Sequence, residues 1–175
     1  MAFNAGGMMI PMRRCFVCMT SLLALACQGP ASNIEEANKD TALQAYTAMD
    51  AQDFDKLRQL ISEDFVLSVV GMPDPLDREA TFGLMKEFYA AFPGYTHVIE
   101  EMVAEGDRVA IRLRFEATHQ GEFMGIPATG KKVSYAGVQI LTIVDGACTE
   151  NWALDDNLGF MSQLGMKLMP ADERT

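Results

Sequence analysis

Apolar positions recur every three or four residues along the first half of the chain and every two along the second. Ala42, Ala45, Tyr46 and Met49 fall at helical spacing. Ser32 and Glu35 ahead of them form an S-x-x-E capping box, which predicts a helix start. "DAQD" breaks that pattern, and Asp53 is placed to cap a shorter helix carrying Leu57, Leu60 and Ile61. The run from Phe65 to Val70 is rich in β-branched residues and predicts a strand. "GMPDPLD" reads as a loop, with Asp77 as the next cap. Phe82, Met85, Phe88, Tyr89 and Phe92 then share one stripe of a third helix, as core or as the wall of a cavity. Pro93 and Gly94 end it.

Beyond this point the period is two. Residues 95–105 form one candidate strand, and "EGDR" a tight turn. Val109, Ile111, Leu113, Phe115, Ala117 and His119 then alternate with Ala110, Arg112, Arg114, Glu116 and Thr118. Residues 133–144 are apolar on both faces, so cover is expected on each. Asp145 and Gly146 signal a hairpin. The stretch from Glu150 to Gly165 reads as a last strand running into a short tail. Trp152, Leu154, Asp156 and Leu158 share one face; Asn151, Ala153, Asp155 and Asn157 share the other. The large apolar residues mark the first face as inward, which predicts a buried Asp156 and a solvated Asp155. The sum is an α+β fold, with helices packed on one side of a curved, mostly antiparallel sheet.

The chain has 175 residues, 49% of them hydrophobic, enough for one ordinary core. A formal net charge of −10 disfavours a nucleic-acid partner. Cys15, Cys18 and Cys27 cluster near the start, and only Cys148 lies beyond, so no disulfide framework is expected. Arg13 and Arg14, the apolar run Cys15–Ala26 and the small residues after it have the order of a secretory signal. The run is short for a bilayer span. "LALAC" resembles a bacterial lipobox with Cys27 as the lipid acceptor; a plain cleaved signal is the alternative. Met12 is the expected true start. The division is then a leader at 1–27, a linker at 28–33, one domain at 34–165 and a tail at 166–175. Export to the cell envelope, on the periplasmic side, follows, with membrane contact only through the lipid.

Two longer motifs carry a resemblance. "THQGEFMGIPATG", Thr118–Gly130, and "ENWALDDNLGFMSQLG", Glu150–Gly165, are similar to the SnoaL-like polyketide cyclases, also called ester cyclases. The likeness runs from about Ser32 to Gly165. It implies the NTF2-like fold, a cone-shaped barrel with a deep apolar pocket, and homodimers formed through the sheet. It also implies closure of a polyketide ring by intramolecular aldol condensation without metal or cofactor. An aspartate on the last strand serves as acid and base in that family, and the motif position falls on Asp156. The family's histidine on the penultimate strand has no counterpart; Gln139 and Leu141 stand in that region.

The candidate residues each have a chemical and a structural reading. A buried Asp156 carboxyl would have its pKa raised and could abstract and return a proton; otherwise it caps or bonds a loop where the strand ends. His119 orients a ligand carbonyl or shuttles a proton, or else holds its turn. Gln139 shares a face with Tyr135 and Leu141 and must find a partner: ligand, Asp156 or backbone. Tyr46 closes the cone or fills the core. Trp152 is core filler or a pocket floor, and Tyr135 and Phe88 line the same space. His97 has no supporting constellation. Two isolated histidines make a metal site unexpected. Two functions remain: a cofactor-free cyclase or isomerase-type enzyme acting on a small apolar carbonyl compound, and a small-molecule-binding lipoprotein without turnover.

Overall fold

A computed structural model describes residues 30–167 and Met169. The leader with Cys15, Cys18 and Cys27, the first residues of the linker and most of the tail lie outside the described residues.

α1 (Pro30–Asp50) begins two residues before Ser32, inside the stretch read as linker. Proline suits a first helical turn, where its missing N–H has no partner to lose. α2 (Phe54–Leu60) is capped by Asp53, whose side chain accepts from the Lys56 backbone N–H. β1 (Ile61–Val69) follows without a break, so Ile61 opens a strand rather than closing a helix. β2 (Leu76–Asp77) is two residues long and has no sequence signal. α3 (Arg78–Ala91) is capped by Asp77, which accepts from the Ala80 N–H at 2.8 Å. The expected stripe does face inward, and the Tyr89 hydroxyl donates to the Met49 carbonyl at 2.8 Å, tying α3 to the end of α1.

β3 (Thr96–Glu105), β4 (Arg108–Thr118), β5 (Lys132–Val144) and β6 (Ala147–Asp155) form an antiparallel run. β1 joins it alongside β6 in parallel, giving the order β2-β1-β6-β5-β4-β3. Register shifts in the β1–β6, β3–β4 and β5–β6 pairs bend the sheet, because an unpaired residue kinks its strand. β2 and β3 are its two edges, so the sheet curves without closing. The helices cover the concave side. There Val109, Ile111, Leu113 and Phe115 of β4 are buried beneath Ala42 and Tyr46 of α1 and Phe82 and Phe92 of the α3 region.

The convex side is different from expectation. β5 buries Val133, Tyr135, Gln139, Leu141 and Ile143, but Ser134, Ala136 and Val138 are exposed. Among the described residues no second layer covers that face, so the apolar residues on it point outward.

The largest correction concerns β6. Asp145 and Gly146 both have positive φ, 51° and 79°, and make the predicted tight hairpin. Ile143 then pairs with Cys148, but Thr142 pairs with Glu150, leaving Thr149 as an extra residue. One inserted residue exchanges the two faces of everything that follows. Cys148 points inward before the bulge; Asn151 and Ala153 point inward after it, and Asp155 follows them. Trp152 and Leu154 face out, 37% and 46% exposed. β6 stops at Asp155. Residues Asn157–Leu164 form α4, whose N-cap is Asp156 and whose C-terminal Gly165 adopts φ 103°. Leu158 therefore lies on a helix and is exposed. Asp156 is solvated, against expectation.

Candidate active site

Asp155 ends β6 on the concave side, partly buried, with Oδ1 fully enclosed and without a hydrogen-bond partner. Gly137 lies directly across from it on β5. A methyl group at that glycine would sit 2.3 Å from Asp155 Oδ1 and 2.6 Å from Phe115 Cε2. The missing side chain is thus the space that the carboxylate and the Phe115 ring occupy. Burial pushes the Asp155 carboxyl from its ordinary 3.8 up to about 6, and the Gln139 side-chain amide pulls against that rise.

Gln139 is diagonal to Asp155 on the same face, since Gln139 pairs with Ala153 and Gly137 with Asp155. Its Oε1 accepts from the Tyr46 hydroxyl at 3.1 Å and from Asn151 Nδ2 at 2.6 Å. Tyr46 descends from α1, and Asn151 rises from β6 four residues before Asp155. The Tyr95 and Tyr135 hydroxyls share a hydrogen bond of 2.9 Å. Burial above all, and the Asp155 charge in smaller measure, raises all three phenols well above their usual range. They stay protonated and able to donate at every ordinary pH. Phe115 stacks on Tyr135 at 4.7 Å and on Tyr95 at 5.5 Å, and Phe160 closes on Tyr135 at 4.7 Å.

A second pair borders this group. Asp50 Oδ1 lies 2.6 Å from His97 Nδ1, and the same carboxylate accepts from the His97 backbone N–H at 3.1 Å. The imidazole packs 5.0 Å from both Tyr46 and Tyr95. His97 therefore does have a constellation, supplied by residues 47 positions away and by two tyrosines. Sequence spacing carries no signal for so distant a partner.

The structure brings Tyr46, Gln139 and Tyr135 of the expected residues together around Asp155. Phe88 adjoins them through Tyr95, at 4.8 Å between rings. Trp152 is on the opposite side of the sheet and floors nothing. Asp156 accepts from the Gly159 N–H at 2.8 Å and borders a hollow of about 530 Å³ with Leu158, Ser162, Met166 and Lys167. The interior beside Asp155 is instead filled by aromatic rings, where the resemblance implied a deep pocket. His119 is fully buried and stacked on Phe92 at 4.9 Å. Its Nδ1 accepts from the Thr129 N–H at 3.3 Å, and its backbone bonds Gly130 and Lys131, so it holds the base of the 120–130 loop. Burial pushes the Cys148 thiol up to about 12, which leaves it unreactive. Among the described residues no three His, Cys, Asp or Glu side chains are grouped to hold a metal ion.

The arrangement suits proton transfer at carbon. A carboxyl poised near neutrality takes and returns a proton efficiently, and buried neutral phenols can donate to an oxygen that gains negative charge.

Residues 40–164 match the family described as SnoaL-like polyketide cyclase. Over 76 residues the chain is 34% identical to aklanonic acid methyl ester cyclase DnrD of Streptomyces peucetius. That match takes in 43% of this chain and 52% of DnrD, about half of the relative's length. The wild-type IdmH structure from Streptomyces antibioticus superposes with a TM-score of 0.69 at 33% identity, covering 74% of this chain and 99% of IdmH. AclR of Streptomyces galilaeus gives 0.69 at 31% identity, covering 75% and 97%.

Proposed function

This chain belongs to the SnoaL-like polyketide cyclase family, and we propose that it is a cofactor-independent cyclase in which Asp155, not Asp156, is the acid and base. The reaction is an intramolecular aldol-type closure of a small apolar carbonyl compound. Asp155 removes a proton next to one carbonyl, the resulting carbanion attacks a second, and the proton returns to the new alkoxide. Within the Tyr95–Tyr135 pair, one hydroxyl donates to the other, and the second donates its proton to the oxygen that carries the charge. The single observation behind this reading is the sheltered Asp155 carboxyl, facing Gly137 and ringed by neutral phenols. Admission of a ligand requires the rings of Phe88, Phe123 and Phe160 to part, since they pack together at 5.4 to 5.9 Å beside Tyr135.

Aklanonic acid methyl ester, the compound in the name of DnrD, is the first probe. Asp155→Asn is expected to lower turnover by on the order of 10² to 10⁴, with Asp156→Ala staying close to wild type. Loss of turnover in Asp156→Ala alone would return the role to Asp156.

The second reading, a lipid-anchored binding protein without turnover, draws on the leader and Cys27. Export with lipidation is compatible with either reading, and palmitate labelling that persists in Cys27→Ser would sink the anchor. We also propose a homodimer formed through the convex face, where Val138, Trp152 and Leu154 stand exposed together on paired strands.

A further inference from the structure

Gln139 is enclosed by partners that fix its orientation. Its carbonyl oxygen already accepts twice, from Tyr46 at 3.1 Å and from Asn151 at 2.6 Å. An amide oxygen has two lone pairs, so that end is full. Both donors reach it from fixed elements, one on α1 and one on the neighbouring strand, and neither Tyr46 nor Asn151 is more than 8% exposed. With its oxygen held in that fork, the side chain has one orientation left for its NH2. That end lies on the concave face beside Asp155, one diagonal step across the β5–β6 pair.

We infer that Gln139 is the positioning residue of this site: pinned through its oxygen by Tyr46 and Asn151, it turns its NH2 toward Asp155 and sets how firmly that acid holds its proton. The inference deepens the acid/base reading and rests on it for its catalytic meaning. The physical logic is a balance. Burial favours the protonated form and so weakens the carboxyl as a base near neutral pH. An amide donor favours the ionised form, bringing the group back to where both forms are populated near neutral pH. The pin matters because an unheld glutamine presents its oxygen as readily as its nitrogen, and an oxygen facing a carboxylate does the opposite. The titratable groups packed around Asp155 are Tyr46 from α1, Tyr95 ahead of β3 and Tyr135 from β5, all neutral phenols. The Asp50–His97 pair stands behind Tyr46 and Tyr95. Asp156 follows in sequence but turns to Gly159 and solvent. Gln139 differs from these phenols in being a donor that does not titrate, so its removal takes away a hydrogen-bond donor and no titratable group.

The experiment is a carbon-13 titration of aspartate carboxyl groups in the full-length protein, with Asp155→Asn identifying the Asp155 signal. Wild type is compared with Gln139→Leu, which keeps the bulk and removes the donor, and with Tyr46→Phe, which removes one arm of the pin. Gln139→Leu is expected to raise the Asp155 midpoint by about one pH unit, and Tyr46→Phe to raise it by less. An unmoved midpoint in Gln139→Leu with wild-type near-ultraviolet circular dichroism overturns the inference. Should Gln139→Leu fail to fold, an unmoved midpoint in Tyr46→Phe overturns it equally. A wild-type midpoint near 4 sinks the acid/base reading itself, whereas a midpoint near 6 that no variant shifts sinks only the role of Gln139.

Discussion

The two faces of β6 are built from alternating residues of one nine-residue strand and do opposite things. The concave face carries Asn151, Ala153 and Asp155, small or polar side chains enclosed by aromatic rings. The convex face carries Trp152 and Leu154, large apolar side chains left in solvent. Hydrophobicity alone ranks the faces the wrong way round. The reason is that the concave side is already full: Phe115, Tyr135 and Phe160 fill the volume, and the acid needs Gly137 opposite it simply to fit. The small and polar side chains fit the little space the rings leave, and Trp152 and Leu154 form the apolar patch on which the proposed dimer rests.

The sharpest way to break this contrast is to fill the one gap it depends on. Gly137→Val would drive a side chain into Asp155 and Phe115, and overpacking of this kind costs about 1–3 kcal/mol. Chemical denaturation should show that loss, and turnover should fall with it. A variant as stable and active as wild type would mean that the gap is incidental.

Trp152→Glu tests the other face. It should convert a dimer to a monomer in sedimentation while changing the stability of the isolated domain by no more than about 0.5 kcal/mol. An unfolded variant would place Trp152 in a core after all.

A smaller effect is expected at the adjoining carboxylate. Asp156→Ala removes the cap of α4 and should cost about 1 kcal/mol of stability, read as a lower denaturation midpoint. A loss well above that would mean that Asp156 does more than hold the Gly159 N–H.

Much of the fold was legible because it is local. Asp53 and Asp77 cap helices where their positions said they would, and the alternation of β4 runs from Val109 to Ala117 as read. The hairpin at Asp145 and Gly146 was legible because only a few residue pairs tolerate two positive φ angles in succession. The face of β6 was not. Thr149 looks like any strand residue, yet as a bulge it shifts the register by one and inverts every assignment downstream. Asp156 was expected inside because Trp152 and Leu154 share its alternation; both face out, so the inward carboxyl is Asp155. The roles of Tyr95, His97 and Asn151 were not legible for a different reason: each is defined by partners brought from other strands and helices. α4 escaped notice because eight residues give little periodicity to read.

The most direct test of the sheltered acid needs no substrate. Above its ordinary 3.8 and up to about 6, native Asp155 holds a proton that the unfolded chain has released. The native state binds more protons in that window, so wild-type stability falls as pH rises through it. Asp155→Asn lacks this loss. Urea unfolding of both proteins between pH 3.5 and 7 should show the variant gaining on wild type from about pH 4, by up to roughly 3 kcal/mol near pH 6.5, with no further change above. A gap that stays constant across the range, or one in which wild type gains on the variant, would contradict the account.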